Sequence, residues 1–325
     1  MKQVKEYVKM FSPFNNRKDL PSSVFICKKM LAFFLLYFAA GVLGEAVIIG
    51  SLTVLGYDPL HGIMPEGKLG TLIPYYGFFL FLLLTLLYCK YVEKRTIKSV
   101  GFNSRVFDFL TGAGIAIILL VLIIGISCIL GSIVYMGPGE KMDFFWLIAL
   151  MVGLMIQSTA EEVMCRGFLM TSLLEKVPIP AAVFFSSLAF ALPHFGTLFE
   201  AGFLYIIIGI VNLFLISTML SLLVLHRGNL WIACGLHGIW NFLLFGICSM
   251  ALSGNESDIS GIFCFRIERA DLWNGGIYGI EAGILTTIIL GLTVTVLLNG
   301  RKARKLTEKF KGRHSVRGGA DTNGI

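Results

Sequence analysis

Residues 157–176 read QSTAEEVMCRGFLMTSLLEK, and three charged residues of this stretch interrupt an apolar run of membrane-spanning length. A charge at bilayer depth costs at least about 2.5 kcal/mol on insertion scales, so Glu161, Glu162 and Arg166 need a structural or chemical reason. Glu162 and Arg166 stand four residues apart with the acid first, the favourable order for an ion pair on a helix. Glu161 is then left without an obvious partner, and an unpaired buried carboxylate can accept a proton near neutral pH.

The composition of the whole chain indicates a membrane protein. Of its 325 residues, 56% are hydrophobic and 14% are charged, whereas soluble domains carry roughly 25% charged residues. The formal net charge of +7 comes from basic residues near the two ends, which flank apolar segments. Basic flanks of this kind set topology and face anionic lipid, so the lipid bilayer is the expected partner and nucleic acid is not.

Eight apolar segments are near or above the length of about 20 residues that a helical bilayer crossing needs, except the fifth, which is short. They lack the alternation of a membrane β-barrel, so we expect helices. The sequence predicts an all-α, polytopic membrane helix bundle with about eight transmembrane helices, in one domain over residues 30–299 between basic tails at 1–29 and 300–325. The segments cover residues 30–55, 71–92, 108–135, 144–175, 179–196, 201–226, 230–252 and 276–299.

Basic residues in the loops predict the orientation of this bundle. They concentrate in the loops after the second, fourth and sixth segments, on the same side as both tails. The loops of the other side carry only Lys68, Lys141, Arg266 and Arg269. By the positive-inside rule the first side is cytoplasmic, so eight crossings place both termini in the cytoplasm.

Other polar and small residues of the apolar segments receive structural explanations. Gly275, Gly279 and Gly283 recur at every fourth position and predict a small-residue face on the last helix for close packing. Glu281 is expected near the outer end of that helix, within reach of the headgroups. Asn212 is expected to form an interhelical hydrogen bond. Glu45, in the first segment, is expected to pair within the bundle or to line a cavity, outside the site.

Two more polar pairs lie in later apolar segments. Phe190 and His194 stand four residues apart in the fifth segment. His237 and Asn241 stand four residues apart in the seventh segment, so each pair shares one helix face. Each polar residue costs insertion energy, and three such sites in three helices favour a common functional centre.

Helix lengths place two of these sites at the same depth. Glu161 lies fifteen residues before Lys176, and His194 lies fifteen residues after Ile179, on either side of a short turn. At about 1.5 Å per residue, both are roughly 22 Å from that turn. An antiparallel hairpin therefore brings Glu161 and His194 to one level.

These residue types fit the hydrolysis of a peptide bond. Glu161 can take a proton from water, and His194 can orient that water or share the proton. His237 and Asn241 can donate hydrogen bonds to a developing oxyanion. No serine-nucleophile elbow, intramembrane aspartate pair or H-E-x-x-H motif occurs in the chain, so serine and aspartyl schemes lack their parts.

A metal centre is the alternative use of the same side chains. Glutamate and histidine are ordinary zinc ligands, so Glu161, His194 and His237 would hold a metal if one is bound. Asn241 is a poor zinc ligand and the spacing is not diagnostic of a metal site. We therefore expect no cofactor, with zinc as the alternative.

The three motifs in sequence resemble the CAAX prenyl protease and bacteriocin-processing family, whose best-known branch is the type II CAAX prenyl proteases. The matching patterns are E-E-x-x-x-R at 161–166, F-x-x-x-H at 190–194 and H-x-x-x-N at 237–241, in the family's order and spacing. The resemblance covers about residues 145–250. It implies an intramembrane endopeptidase of the glutamate type, acting near the membrane surface on a membrane-anchored peptide or protein.

The resemblance also implies a role for each matched residue. Glu161 and His194 would activate the water, and His237 with Asn241 would form the oxyanion hole. The supporting residues would be Glu162, Arg166 and Phe190.

The sequence leaves the substrate class and the host membrane more open than the type of reaction. Bacterial members of the family are linked to bacteriocin maturation, self-immunity and peptide processing, so a prenylated CAAX-type substrate is one option among several. The compact chain favours a bacterial plasma membrane. Two other hypotheses stay open: a non-catalytic bacteriocin-immunity or membrane scaffold protein on the same fold, and a transporter or proton pathway. Matched helix pairs broken by glycine or proline, typical of transporters, are not evident.

Overall fold

The computed structural model describes residues 10–139, 143–256 and 261–299. The predicted C-terminal tail, 300–325, and the first nine residues of the predicted N-terminal tail lie outside the described residues. Within the described ranges the chain is mostly helical, which confirms the polytopic helical bundle. The main helices are α1 (Ser22–Val54), α2 (Gly67–Tyr91), α3 (Asp108–Ile129), α4 (Phe144–Glu162), α5 (Ile179–Ala191), α6 (Phe203–Arg227), α7 (Trp231–Asn241) and α8 (Ile284–Asn299).

Several of these helices continue into turns of different pitch. Helix α4 runs on as a π-helix and then a short α-helical turn, α5 as a 3₁₀ turn and another α-helical turn, and α7 as a π-helix. These extensions are Val163–Met170, Thr171–Leu173, Leu192–His194, Phe195–Leu198 and Phe242–Ile247. Short helical pieces outside them are Pro59–His61, Ile97–Val100, Gly276–Tyr278 and Ile280–Ala282.

Six helices of the described chain are long and apolar enough to cross a membrane, so the protein is an integral multi-pass membrane protein. The six are Ser22–Val54, Gly67–Tyr91, Asp108–Ile129, Phe144–Leu173, Ile179–Leu198 and Phe203–Arg227. The last two predicted segments form shorter apolar helices, Trp231–Ile247 and Ile284–Asn299. The apolar sequence continues into turns at one end of each helix, so the segments predicted from hydropathy are longer than the helices. The predicted eight crossings and cytoplasmic termini stay predictions.

The small-residue packing face predicted for the last helix does not form at Gly275 and Gly279. Gly275 and Gly279 have φ values of +76° and +91°, and they flank 3₁₀ turns that precede α8. Only glycine adopts this left-handed backbone without strain, so these residues shape turns and do not form a packing face on a helix. The close helix contact lies elsewhere, between α3 and α7. A Cβ on Gly112 would overlap the carbonyl oxygen of Ile232.

A two-stranded antiparallel sheet covers one end of the bundle. Strand β1 (Val134–Pro138) follows α3, and β2 (Phe263–Arg266) lies in the long loop between α7 and α8. Val134 pairs with Arg266, and an irregularity in register follows Tyr135. The sheet lies at the end where α4 and α6 begin, opposite the basic loops.

At the other end, polar residues join the start of α1 to the ends of α2 and α4. Lys29 Nζ lies 2.6 Å from Glu93 Oε1, and both side chains are almost fully buried. Ser172 Oγ approaches the other oxygen of Glu93 at 3.4 Å. Glu93 neutralises Lys29, and Lys28 Nζ donates to Asn15 Oδ1 over 2.6 Å. Both lysines are therefore accommodated inside helix α1, which begins before the predicted boundary at residue 30.

Helix α4 and its π-helical extension occupy the centre of the bundle. All eight residues of Val163–Met170 are buried. The extension packs against α2 and α5, and α4 itself packs against α2 and α7. This central position brings the charged motif of α4 next to the polar residues of α5 and α7.

Candidate active site

Glu162 and Arg166 form the ion pair that the sequence predicts. Arg166 Nη1 donates to Glu162 Oε1 over 2.8 Å, and neither side chain is exposed. The remaining guanidinium donors reach α6, where Nη2 bonds the carbonyl and hydroxyl oxygens of Ser217 and Nε lies 3.4 Å from Ser221 Oγ. Nε, Nη1 and Nη2 of Arg166 each have an acceptor, which offsets part of the cost of burying the pair. Glu162 Oε2 is buried without a hydrogen-bond partner among the described residues.

Phe190 is the packing centre of this arrangement. The guanidinium of Arg166 lies over its ring, 4.8 Å from the ring centroid. The rings of His194 and His237 pack against the same phenyl ring at centroid distances of 5.1 Å and 5.7 Å. One buried aromatic side chain therefore fixes the relative positions of two histidines and the structural arginine.

His237 connects the two glutamates of the motif. Its Nδ1 lies 3.0 Å from Glu162 Oε1, and its Nε2 lies 3.8 Å from Glu161 Oε2. An ionised carboxylate can only accept, so Nδ1 donates to Glu162 and Nε2 is directed toward Glu161. The distance to Glu161 is too long for a direct hydrogen bond. A bridging water suits such a separation.

Glu161 has a partner that the sequence analysis missed. Gln157, one helical turn earlier, donates from Nε2 to Glu161 Oε1 over 2.6 Å. The other oxygen, Oε2, is buried and has no hydrogen-bond partner among the described residues. The expectation that Glu161 is unpaired is therefore wrong for one oxygen and holds, within the described chain, for the other. The four-residue spacing from Gln157 to Glu161 was the available signal.

Asn241 belongs to the same network. Its Nδ2 lies 3.0 Å from Gln157 Oε1 and 3.3 Å from Ser158 Oγ. The amide of Gln157 has its direction fixed because its nitrogen must face the carboxylate of Glu161, so its oxygen faces Asn241. The side-chain N–H groups of Asn241 are thus directed at Gln157 and Ser158, and the sequence did not predict these contacts.

His194 lies where α5 changes pitch. Pro193 cannot donate a backbone hydrogen bond, and the chain forms a 3₁₀ turn over Leu192–His194. His194 Nδ1 donates to the carbonyl oxygen of Phe190 over 3.0 Å. In the neutral ring Nε2 is then the acceptor, which is the nitrogen that can orient a water.

The predicted catalytic residues line one cavity of about 420 Å³. Glu161, His194, His237 and Asn241 all contribute to its wall, together with Phe190 and Gln157. Glu162 and Arg166 do not line it and lie buried beside it. The structure therefore brings together residues from α4, α5 and α7 at one cavity.

Glu281 is a further cavity residue: it lies at the outer end of the last segment, as predicted, but the prediction that it reaches the headgroups is wrong. It lies in the 3₁₀ turn Ile280–Ala282, where Oε1 accepts from Trp240 Nε1 at 3.1 Å and Oε2 accepts from the backbone N–H of Ser253 at 2.6 Å. The carboxylate is directed into the bundle and not to the headgroups, because the turn precedes α8. Asn212 of α6 donates to the carbonyl of Glu281 at 2.9 Å, which agrees with the hydrogen bond predicted across the bundle.

Two further expectations concern Glu45 and a bound metal ion. Glu45 is exposed on α1 and does not line the cavity. Within the described ranges, no group of three or more His, Cys, Asp or Glu side chains is arranged to hold a metal ion. The zinc alternative with Glu161, His194 and His237 stays a prediction, which the chelator experiment below addresses.

Residues 143–243 match the family model described as type II CAAX prenyl endopeptidase, Rce1-like. The matched segment runs from the residue before α4 to the second residue of the π-helix that follows α7, and it contains all three motifs. The resemblance predicted from those motifs is confirmed over this segment, and it indicates an intramembrane endopeptidase of the CAAX protease type. Comparison with curated proteins gives no match.

Proposed function

We propose that this protein is a glutamate-type intramembrane endopeptidase, in which Glu161 activates a water molecule for attack on a peptide bond. The observation that carries the proposal is the environment of Glu161. Its Oε2 is buried, has no hydrogen-bond partner among the described residues, and lies 3.8 Å from His237 Nε2. A general base of this kind must reach the proton it abstracts, directly or through one water.

In this mechanism Glu161 carries one proton from the attacking water to the leaving nitrogen. Glu161 takes a proton from the water, whose oxygen attacks the carbonyl carbon of the scissile bond. His194 Nε2 orients the water through a second hydrogen bond. Glu161 then returns the proton to the leaving nitrogen as the tetrahedral intermediate collapses. The products are a new carboxyl terminus and a new amino terminus.

The developing oxyanion needs donors, and His237 and Asn241 are the candidates. Preorganised donors of this type are worth roughly 10²–10³-fold in kcat each. Asn241 already contacts Gln157 and Ser158, so substrate would replace the longer of these contacts, the one of 3.3 Å to Ser158. His237 would donate from Nε2 when both ring nitrogens carry protons, with its Nδ1 bonded to Glu162.

The substrate class follows from the membrane setting. We propose a membrane-anchored protein or peptide, with prenylated CAAX-type chains as one class to be tested against unmodified ones. A bacterial plasma membrane is the proposed location. The cavity of about 420 Å³ has room for a few residues of extended chain but not for a folded domain.

The test is cleavage of membrane-anchored peptides by purified protein in detergent, with farnesylated and unmodified versions of each peptide. The Glu161→Gln variant keeps the shape of the side chain and removes the base, so activity should fall by about 10²–10⁴-fold. Glu268→Gln, which alters an exposed carboxylate in the loop before α8, is the matched control and should cleave like wild type.

The same assay separates the alternatives. Equal cleavage by wild type and Glu161→Gln would remove Glu161 from the mechanism. Loss of activity with a chelator, restored by added zinc, would favour the metal alternative over the metal-free one. A wild-type protein that cleaves no peptide of the panel would favour the scaffold hypothesis.

A further inference from the structure

We infer that the catalytic cavity opens on the side of the membrane opposite the basic loops, so that cleavage takes place at the outer face. The inference rests on the proposed function for its catalytic part. It narrows the substrates to membrane-anchored peptides or proteins that present the scissile segment outside the cytoplasm.

The positions of the cavity residues along their helices carry the first step. Thr71 and Pro74 lie in the first two turns of α2, and Thr197 lies at the end of the α5 extension. Ser253 follows α7, and Glu281 precedes α8. All five belong to the end of the bundle that carries the two-stranded sheet. No cavity-lining residue comes from the loops 92–107, 174–178 or 228–230 at the other end.

The opposite end of the cavity is closed by packed side chains. Between Glu161 and the basic end of the bundle, all residues of the π-helix Val163–Met170 are buried. This buried π-helix forms a plug, and Arg166 joins it to α6 through hydrogen bonds to Ser217 and Ser221. Neither Arg166 nor Glu162 is exposed. The pocket that Glu161 shares with Met164 and Cys165 on this side has a volume of about 20 Å³, which is too small to pass a peptide from the basic end without rearrangement of the bundle.

The mouth of the cavity is exposed at the sheet end. Asn255 and Glu256, in the loop after α7, are exposed, as are Pro74 of α2 and Pro193 at the end of α5. Glu281 holds this loop by accepting the backbone N–H of Ser253 at 2.6 Å. The cavity thus widens from a buried base to a rim of exposed residues.

The charges of the loops decide which face this rim occupies. Five basic residues lie between Lys90 and Arg105, and Lys176 and Arg227 follow α4 and α6 at the same end. The rim end carries Lys68, Lys141, Arg266 and Arg269 against a larger set of carboxylates, among them Asp143, Glu256 and Asp271. Short loops rich in lysine and arginine stay in the cytoplasm, so the rim faces outward.

This orientation has a consequence for the substrate. A chain whose scissile bond is held at the cytoplasmic surface lies on the wrong side of the plug formed by Val163–Met170. A peptide that has crossed the membrane, or a membrane-spanning segment with an outer extension, can enter the rim directly. Exported, membrane-anchored peptides are therefore the expected substrates.

Thiol labelling tests the orientation without relying on catalysis. Asn255→Cys, at the rim, and Lys98→Cys, in the basic loop, are each treated with a membrane-impermeant maleimide in intact cells and in inverted vesicles. Wild-type protein gives the background from the native cysteines. We expect Asn255→Cys to label in intact cells and Lys98→Cys to label in inverted vesicles. Labelling of Asn255→Cys only in inverted vesicles would overturn the inference.

Cleavage in sealed proteoliposomes tests the catalytic part. One peptide is anchored in two orientations, with its scissile segment either on the rim side or on the side of Lys98, and Lys98→Cys labelling reports how the enzyme is inserted. Cleavage confined to the rim side is expected, and cleavage confined to the Lys98 side would overturn the inference. Correct labelling without cleavage in either orientation would contradict the proposed function while the orientation of the cavity stands.

Discussion

Gln157 donates a hydrogen bond from Nε2 to Glu161 Oε1 over 2.6 Å, and this contact fixes the direction of its amide. The oxygen of the same amide accepts from Asn241 Nδ2 at 3.0 Å. One side chain on α4 therefore sets the position of the proposed base and of a proposed oxyanion donor on α7. Neither position depends on the family motifs alone, because Gln157 lies outside them.

Replacing Gln157 by leucine should slow the chemical step more than it weakens substrate binding. The variant loses a hydrogen bond to a charged group, worth about 1.5–3 kcal/mol. A loss of that size corresponds to a decrease in kcat of roughly 10- to 100-fold. Steady-state kcat and KM on a peptide that the wild type cleaves are the measurement.

Gln157→Glu is the companion variant, because it keeps the shape and cannot donate when ionised. It should be impaired as strongly as the leucine variant. Wild-type kcat in either variant would show that Gln157 does not position the site.

Arg166→Met should destabilise the folded protein strongly. The change leaves Glu162 buried without its cation, and breaking a buried ion pair from one side costs about 3–5 kcal/mol. The exposed pair of Arg266 and Glu268, at 3.4 Å, supplies the control, since such pairs contribute roughly 0–1 kcal/mol. Thermal unfolding in detergent should therefore show a large loss for Arg166→Met and little change for Arg266→Met. Similar losses in both variants would argue against a structural role of the buried pair.

Gly112→Ala should disrupt the contact between α3 and α7. A Cβ at this position overlaps backbone atoms of Ile232, which cannot move aside as a flexible side chain could. Overpacking of this kind costs about 1–3 kcal/mol or more. Gly125, in the same helix, has open space around its Cβ position and is the matched control. Alanine favours a helix over glycine by about 1 kcal/mol, so Gly125→Ala should be neutral or stabilising. The fraction of monodisperse protein after heating in detergent separates the two variants, and equal fractions would contradict the close contact.

Glu281→Ala should change KM more than kcat. The variant removes the acceptor of Ser253 N–H and of Trp240 Nε1, so the loop at the rim loses its anchor while Glu161 and His194 keep their partners. We expect a higher KM with a smaller change in kcat, and faster proteolysis within residues 253–256. Glu268→Ala, in the same long loop but exposed, should leave both unchanged. An unaltered KM together with intact protease resistance would show that Glu281 does not hold the loop.

The elements that the sequence predicts well are those governed by local spacing. The helices follow from hydropathy, and the pair of Glu162 and Arg166 follows from a four-residue separation. The same rule applied one step earlier would have paired Gln157 with Glu161. Gln157 is neutral, so a rule restricted to charged residues does not include it.

The features that the sequence does not predict depend on neighbours distant in the chain. Glu281 is directed inward because Trp240 and the loop at Ser253 surround it. Gly112 is needed because Ile232 of α7 lies against it. The left-handed turns at Gly275 and Gly279 interrupt an apolar segment that hydropathy treats as continuous helix. Each outcome depends on tertiary packing, which a single-sequence pattern does not contain.

The π-helix from Val163 to Met170 makes the length of this stretch as important as its composition. Its wide turns accommodate more residues than α-helical turns, and each residue of an α-helix contributes a rotation of about 100°. Deleting a single residue between 167 and 170 would remove the extra residue that these wide turns hold and return the stretch to ordinary pitch, with every motif letter in place. Inserting a residue there would instead rotate Ser172 by about 100° away from Glu93. One-residue insertions after Arg166 should therefore be tolerated less well than a single deletion, and relatives that share the motifs can differ in length here by one residue.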